Sequence, residues 1–190
     1  MWPLVATLWE YSTFRSGFRD TPSRDNGVTL MAETRITLDN YERAILVALQ
    51  ENGRLTVQEL AARIGLSTSP TWRRLKSLEQ RGVIKDYVAR IDASRIGYHD
   101  TVFAHVTLSQ HHRAGISAFE ETMLRRPEVL DVYSMTGDAD YLMRVVARST
   151  REYEHFLKEA VFTSTAVQQI KSNFALREIK STVAIPVSDE

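Results

Sequence analysis

Apolar residues recur at helical spacing three times between residues 38 and 81, and the chain then changes rhythm to strict alternation. Leu38, Tyr41, Ile45, Leu46, Ala48 and Leu49 share one face of a first helix, with Asp39 placed to cap its start and Asn52-Gly53 to end it. Thr56-Val57-Gln58-Glu59 has the spacing of a capping box. Val57, Leu60, Ala61 and Ile64 form the stripe of the helix behind it, and Gly65 stops it. A third helix is expected from about Ser69-Pro70, serine as N-cap and proline at the first helical position. Trp72, Leu75 and Leu78 are its expected inward residues, and Gly82 its terminator. Two short helices joined by a tight glycine turn form a helix-turn-helix, with the first helix as a third wall.

Downstream, Val83 to Asp92 alternates loosely and reads as a strand or strand-like linker, and Ala93 to Asp100 as a hinge around Gly97. Val102, Ala104, Val106 and Leu108 alternate with polar or aromatic neighbours, the period of a half-buried strand. Ile116, Phe119 and Met123 mark a helix that ends at Arg126-Pro127. Val129 to Met135 and Tyr141 to Val146 are two strands joined through Gly137-Asp138. Ser149 and Glu152 open another helix with Tyr153, Phe156, Leu157 and Ala160 inside, and Ile170 to Leu176 is the last strand. The order βαββαβ is the ferredoxin-like split unit. One sheet face packs on the helices, and the other needs cover that a second subunit would supply. The fold class is therefore α+β: an N-terminal helix-turn-helix, winged-helix-like domain followed by a ferredoxin-like domain. The expected boundaries are an extension without periodic pattern over 1–34, taken as disordered, the helix-turn-helix over 35–84, and a linker strand and hinge over 85–100. The ferredoxin-like domain follows over 101–182, with a tail over 183–190. Met31 stands just ahead of the first patterned residues and is a candidate start site.

Composition narrows the chemistry. The chain has no cysteine, which excludes disulfides and thiolate sites. Net charge is zero, but residues 35–95 hold eleven Lys and Arg against seven Asp and Glu, and residues 101–190 ten against twelve. A basic front and an acidic back place any phosphate contact in the front half. No apolar run reaches membrane-spanning length, and residues 1–14 lack the basic start of a signal peptide. No phosphate-binding glycine loop, nucleophile elbow or HExxH motif is present, so no enzyme activity and no cofactor are expected. His111-His112 reads as a solvated loop rather than a metal site.

The segments LDNYERAILVALQENGR and LTVQELAARIGLSTSPTWRRLKSLEQRGVIKDY, followed downstream by SMTGDADYLMRVV, resemble the Lrp/AsnC family, also called feast/famine regulators. The likeness spans roughly residues 36–182. It implies a prokaryotic transcription regulator whose ferredoxin-like domain is the family's ligand-sensing RAM domain. It also implies dimers through the RAM sheet, often assembled into tetramers or octamers, with amino acids or related metabolites bound at the oligomer interface. The expected place of action is the cytoplasm, on the nucleoid. Two departures stand out: Trp72 takes the place of a small aliphatic residue, and Thr165-Ala166 replaces a proline–glycine pair.

A helix-turn-helix sets the N-terminal part of its second helix in the major groove of double-stranded DNA. With Trp72, Leu75 and Leu78 inside, Ser69, Arg73, Lys76 and Ser77 face out, flanked by Thr71 and Arg74. Arg73 is the candidate for reading guanine, Arg74 for base or phosphate, and Lys76 for phosphate. Ser67, Thr68 and Ser69 offer hydroxyls and helix N–H groups to phosphate. For an effector, the turn at Gly137 would aim N–H groups at a carboxylate, and Asp138 and Asp140 would receive an ammonium group. Met135, Thr136 and Tyr141 flank them. The alternative for this loop is an ordinary turn whose aspartate bonds its own backbone. Two readings of the whole stay open: a metabolite-responsive regulator, and an architectural DNA-binding protein without an effector.

Overall fold

The computed structural model describes residues 36–109 and 113–187. The expected N-terminal extension, the candidate start at Met31 and the His111-His112 loop lie outside them. Three helices come first: α1, Asn40–Glu51, α2, Val57–Ile64, and α3, Thr68–Gln80. Each packs on the other two. Ile45, Ala48, Leu60, Ala61, Thr71 and Leu78 are 0–3% exposed and form the centre of this bundle. Full burial of one Leu or Ile contributes about 1.5–3 kcal/mol, so a few such residues hold three short helices that would not persist alone.

The capping box forms as the spacing predicts. The Glu59 amide donates to Thr56 Oγ1 at 3.2 Å, and the Thr56 amide donates back to Glu59 Oε2 at 2.7 Å. The Thr56 amide, with the Thr56 hydroxyl that also donates to Oε2, holds the Glu59 carboxyl below its ordinary value. Gly65 then takes φ +73°, a left-handed conformation that costs other residues energy, and turns the chain into α3. Glu42, 8% exposed on the inner side of α1, is paired with Arg81 at 2.5 Å, which ties the start of α1 to the end of α3.

Two expectations for α3 are corrected. Its N-cap is Ser67 rather than Ser69, so Pro70 lies at the third helical position, where its missing N–H is not needed. Its inward side is Thr71, Leu75 and Leu78, not Trp72, Leu75 and Leu78: Thr71 is fully buried, Leu75 half-buried, and Trp72 is 51% exposed. The reason is geometric. Positions i, i+4 and i+7 stay within a narrow sector of the helix, whereas i, i+3 and i+6 drift around it. The Thr71 hydroxyl also donates back to the Ser67 carbonyl at 3.0 Å, which lets a polar residue sit in the core without an unmet group.

Of the two expectations for 83–92, the strand does not form: the segment is a linker that runs without strand pairing to a 3₁₀ turn at Ser94–Ile96, closed by Gly97. A four-stranded antiparallel sheet follows. Its strands are β1, Asp100–Leu108, β2, Val129–Ser134, β3, Tyr141–Ala147, and β4, Val167–Phe174, in the order β2-β3-β1-β4. Helix α4 is Arg113–Leu124, and α5, Thr150–Phe156, continues as a π-turn over Leu157–Val161. This is the expected βαββαβ architecture. Val102, Ala104, Val106, Met143 and Val145 form the inner sheet face and pack with Phe119, Met123, Tyr153, Phe156 and Val161. The opposite face carries Phe103, His105, Leu142, Arg144, Asp131, Tyr133 and Lys171, set there by the strand register. Strand β4 starts three residues earlier than expected, because a register shift after Thr107 lets Val167 pair with Leu108.

Candidate functional site

The outward side of α3 begins where the chain turns at Ser67. Ser67, Thr68 and Ser69 are exposed, and the Ser67 hydroxyl makes no cap bond to the helix. By helix geometry the amides of Thr68 and Ser69 lack an intrahelical acceptor, so hydroxyls and N–H groups are presented together at the positive end of the helix dipole. That arrangement suits a phosphate. Around the helix barrel come Trp72, Arg73 and Lys76, all exposed. Lys76 is paired with Glu79 at 2.7 Å, and Glu79 in turn accepts a hydrogen bond from Tyr87 at 3.1 Å. Lys76 must exchange this partner before it meets a phosphate. Ser77 is half-buried.

Two residues expected on or beside this surface sit elsewhere. Thr71 is in the core. Arg74 is half-buried and lays its guanidinium 5.4 Å from the centre of the Tyr41 ring, on the side of α3 that meets α1. Arg73 is thus the arginine that points out, and the exposure of Trp72 beside it does not turn it inward.

The loop between β2 and β3 forms the second candidate region. Met135, Thr136, Gly137 and Asp138 are exposed, with Gly137 at φ +114°, and Ala139 is buried between them and the sheet. The loop is tied down at three points. The Met135 amide donates to the Asp140 carbonyl at 2.8 Å, and the Asp140 amide donates to the Val106 carbonyl at 2.9 Å. The Leu108 amide donates to the Asp140 carboxylate at 2.6 Å. Tyr141 is 7% exposed, its ring 5.5 Å from that of Phe119 and its hydroxyl bonded to Glu120. Burial, reinforced by Glu120, pushes the Tyr141 hydroxyl well above its ordinary pKa. Asp140 and Tyr141 therefore spend their polar groups inside the chain, while Thr136, Gly137 and Asp138 face outward. Where a proline–glycine pair was expected before the last strand, Ala166 is fully buried and its carbonyl accepts the Ser109 amide at 2.8 Å. The loop and the lead-in to β4 are both fastened to the end of β1.

Residues 38–85 match the family model described as a winged helix-turn-helix DNA-binding domain, and residues 101–185 match the Lrp/AsnC ligand-binding domain. The Bkd operon transcriptional regulator of Pseudomonas aeruginosa is 38% identical over 150 residues, which is 79% of this chain and 98% of that protein. The chain belongs to the Lrp/AsnC family. Among solved structures, a transcriptional regulator from Neisseria meningitidis in complex with L-Met aligns with a TM-score of 0.76 at 35% identity, covering 79% of this chain and 97% of that one. An AsnC family transcriptional regulator from Agrobacterium tumefaciens aligns at 0.74 and 37%, covering 78% and 97%. As a member of the Lrp/AsnC family the chain is a DNA-binding transcription regulator, and α2 and α3 are its helix-turn-helix.

Within this Lrp/AsnC chain, sequence reasoning missed several contacts. It did not place Trp72 on the outward face of α3, the Lys76–Glu79–Tyr87 chain beside it, or Glu120 under Tyr141. Nor did it foresee the contacts of the C-terminal segment. The Gln50 side chain donates to the Ile185 carbonyl at 3.0 Å and accepts the Ile185 amide at 2.6 Å, and Arg90 donates to the Ser181 carbonyl at 3.1 Å. Residues 180–183 also wall a groove of about 530 Å³ over the open sheet face, opposite Phe103, Tyr133, Leu142 and Arg144. Among the described residues no helix is long and apolar enough to cross a membrane.

Proposed function

We propose that this regulator binds a near-palindromic duplex site as a homodimer, and that an amino acid or related small metabolite at the 135–141 loop alters that binding. Arg73 reads a guanine through its O6 and N7, Ser67, Thr68 and Ser69 hold one phosphate, and Lys76 holds a second after leaving Glu79. The observation that carries the reading is the phase of α3: Thr71 and Leu78 are fully buried while Arg73 stands exposed on the far side of the helix.

The loop offers Thr136, Gly137 and Asp138 to a ligand, with the amides near Gly137 for a carboxylate and Asp138 for an ammonium group. Asp140 and Tyr141 serve the site from beneath by fixing the loop to β1 and α4. Met135 to Asp138 stand exposed, and the site is completed by a second copy across the open sheet face, where Phe103 and Tyr133 are 38% and 57% exposed. Tetramers and octamers extend the same contacts. The Neisseria neighbour's complex with L-Met supports an amino acid as the ligand class. Action in the cytoplasm follows from the DNA partner. A ligand alters DNA affinity here only by preferring one arrangement of subunits over another.

One observation favours a second reading, an architectural DNA-binding protein without an effector: the Asp140 carboxylate and the Tyr141 hydroxyl are already satisfied inside the chain. Fluorescence anisotropy on a duplex enriched from a random pool separates the two. A shift in affinity with one member of an amino-acid panel supports the effector reading. A flat response to the whole panel, with tight and salt-sensitive binding retained, supports the architectural one. Absence of salt dependence would contradict both, because each needs lysines and arginines to displace counterions.

A further inference from the structure

The hydrogen-bonding groups on α3 do not account for its exposed indole. Thr71 and Leu78 are fully buried and Leu75 half-buried on the inward side of this helix, and Trp72 lies off that side. Half of the most extensive apolar side chain in the repertoire nevertheless stands in water, on a surface whose other outward residues are Ser69, Arg73 and Lys76. Trp72 lies three positions after Ser69 and four before Lys76. These residues are therefore neighbours in one column of the helix surface, with Arg73 beside them. The ring thus sits between the hydroxyl-rich start of the helix and its lysine, on the part of α3 that carries the outward arginine.

We propose that Trp72 determines specificity by covering the C5 methyl group of a thymine adjacent to the guanine contacted by Arg73. This rests on the reading of α3 as the groove-entering helix. In the major groove the thymine methyl is the apolar feature that separates one base pair from another, and an apolar side chain is what recognises it. Arg73 supplies two directed hydrogen bonds and Trp72 supplies an apolar wall, so two neighbouring base pairs are read by different physics. The positive charge of Arg73, and of Lys76 once it leaves Glu79, matches a DNA partner rather than a second protein surface.

The test uses the full chain and a duplex that the wild type has enriched from a random pool, with each thymine replaced in turn by deoxyuridine, which differs by the methyl group alone. Wild type should lose about fourfold at one thymine in each half-site, the worth of one buried methyl. W72A should be indifferent at that position and weaker overall on the unmodified duplex by about five- to hundredfold. W72F should fall between them, and the melting temperature of W72A should stay within a few degrees of wild type. The proposal is overturned if W72A binds the enriched duplex as tightly as wild type, or if it keeps the full deoxyuridine penalty. If W72A fails to fold, W72F carries the test, and a W72F chain that keeps the full wild-type deoxyuridine penalty at every thymine overturns the proposal. A wild-type chain that enriches no sequence overturns instead the groove-entering assignment of α3.

Discussion

Replacing Asp140 with alanine should loosen the end of strand β1 before it affects any ligand. Leu108 is 6% exposed, and its amide, past Val106 where the register with β3 ends, donates to the Asp140 carboxylate at 2.6 Å. A hydrogen bond to a charged acceptor contributes about 1.5–3 kcal/mol, and a buried amide left without an acceptor loses a comparable amount. Asp140 itself is exposed, so water reaches part of the vacated space, and the expected loss is about 1–2 kcal/mol. For a chain of this size that lowers the melting temperature by about 2–8 °C. Asn at this position keeps a neutral acceptor and should recover about half of the loss. Hydrogen exchange gives the sharper readout: the Leu108 amide should exchange about 5–30 times faster in Asp140→Ala, while amides in α1 and α2 keep their rates. Suppose instead that melting and Leu108 exchange match the wild type while amino-acid binding disappears. Asp140 would then be a ligand residue, and its assignment as the fastening of β1 would be wrong.

Three further outcomes are expected. Arg73→Ala should cost about 1–3 kcal/mol on the enriched duplex and relax one base preference, and equal affinity across single-base variants of the site would remove it from the reading face. Arg81→Met should destabilise the helical bundle by about 1–3 kcal/mol in urea unfolding, because it removes the 2.5 Å ion pair of the 8%-exposed Glu42; an unchanged midpoint would mean that the pair does not hold the bundle together. Tyr87 is raised to about 12, first by burial and then by the charge of Glu79 and its hydrogen bond, and burial also raises Tyr141 and Tyr153. A raised phenol keeps its proton more tightly in the folded chain. Its stabilising contribution is therefore complete below pH 10 and is lost as pH climbs through 10 towards 12. Ultraviolet titration should show these tyrosines ionising late, and Tyr87→Phe should remove part of the late phase.

The sheet was legible because alternation is unambiguous over four inner residues of one strand: Val102, Ala104, Val106 and Leu108 are all 0–6% exposed. Thr56 and Glu59 were equally plain, since a capping box is a local device that tertiary contacts do not rewrite. The phase of α3 was not. Ranking residues by apolarity puts Trp72 inside, but helix geometry favours Thr71, Leu75 and Leu78, and the hydroxyl of Thr71 is hidden by its own bond to Ser67. The outward arginine survived this error because Arg73 is adjacent to both candidate phases and faces away from each. The loop at 135–141 could be located from Gly137 and its flanking strands. Its inner bonds could not, because Leu108 and Glu120 become partners only once strands β1 and β3 and helix α4 are in place. The segment 83–92 alternates without joining the sheet, which shows that periodicity specifies a face to cover and not the neighbour that covers it.

The pair of bonds between Gln50 and residue 185 has a consequence for comparing sequences. Both bonds fall on the main chain of Ile185, a residue that is 73% exposed. Drift at position 185 should therefore be invisible to the fold for every residue that retains an N–H, proline alone being barred. At position 50 the tolerance runs the other way. Only a primary amide of that length both gives and takes a hydrogen bond there, so even glutamate, identical in shape, would lose half of the clasp.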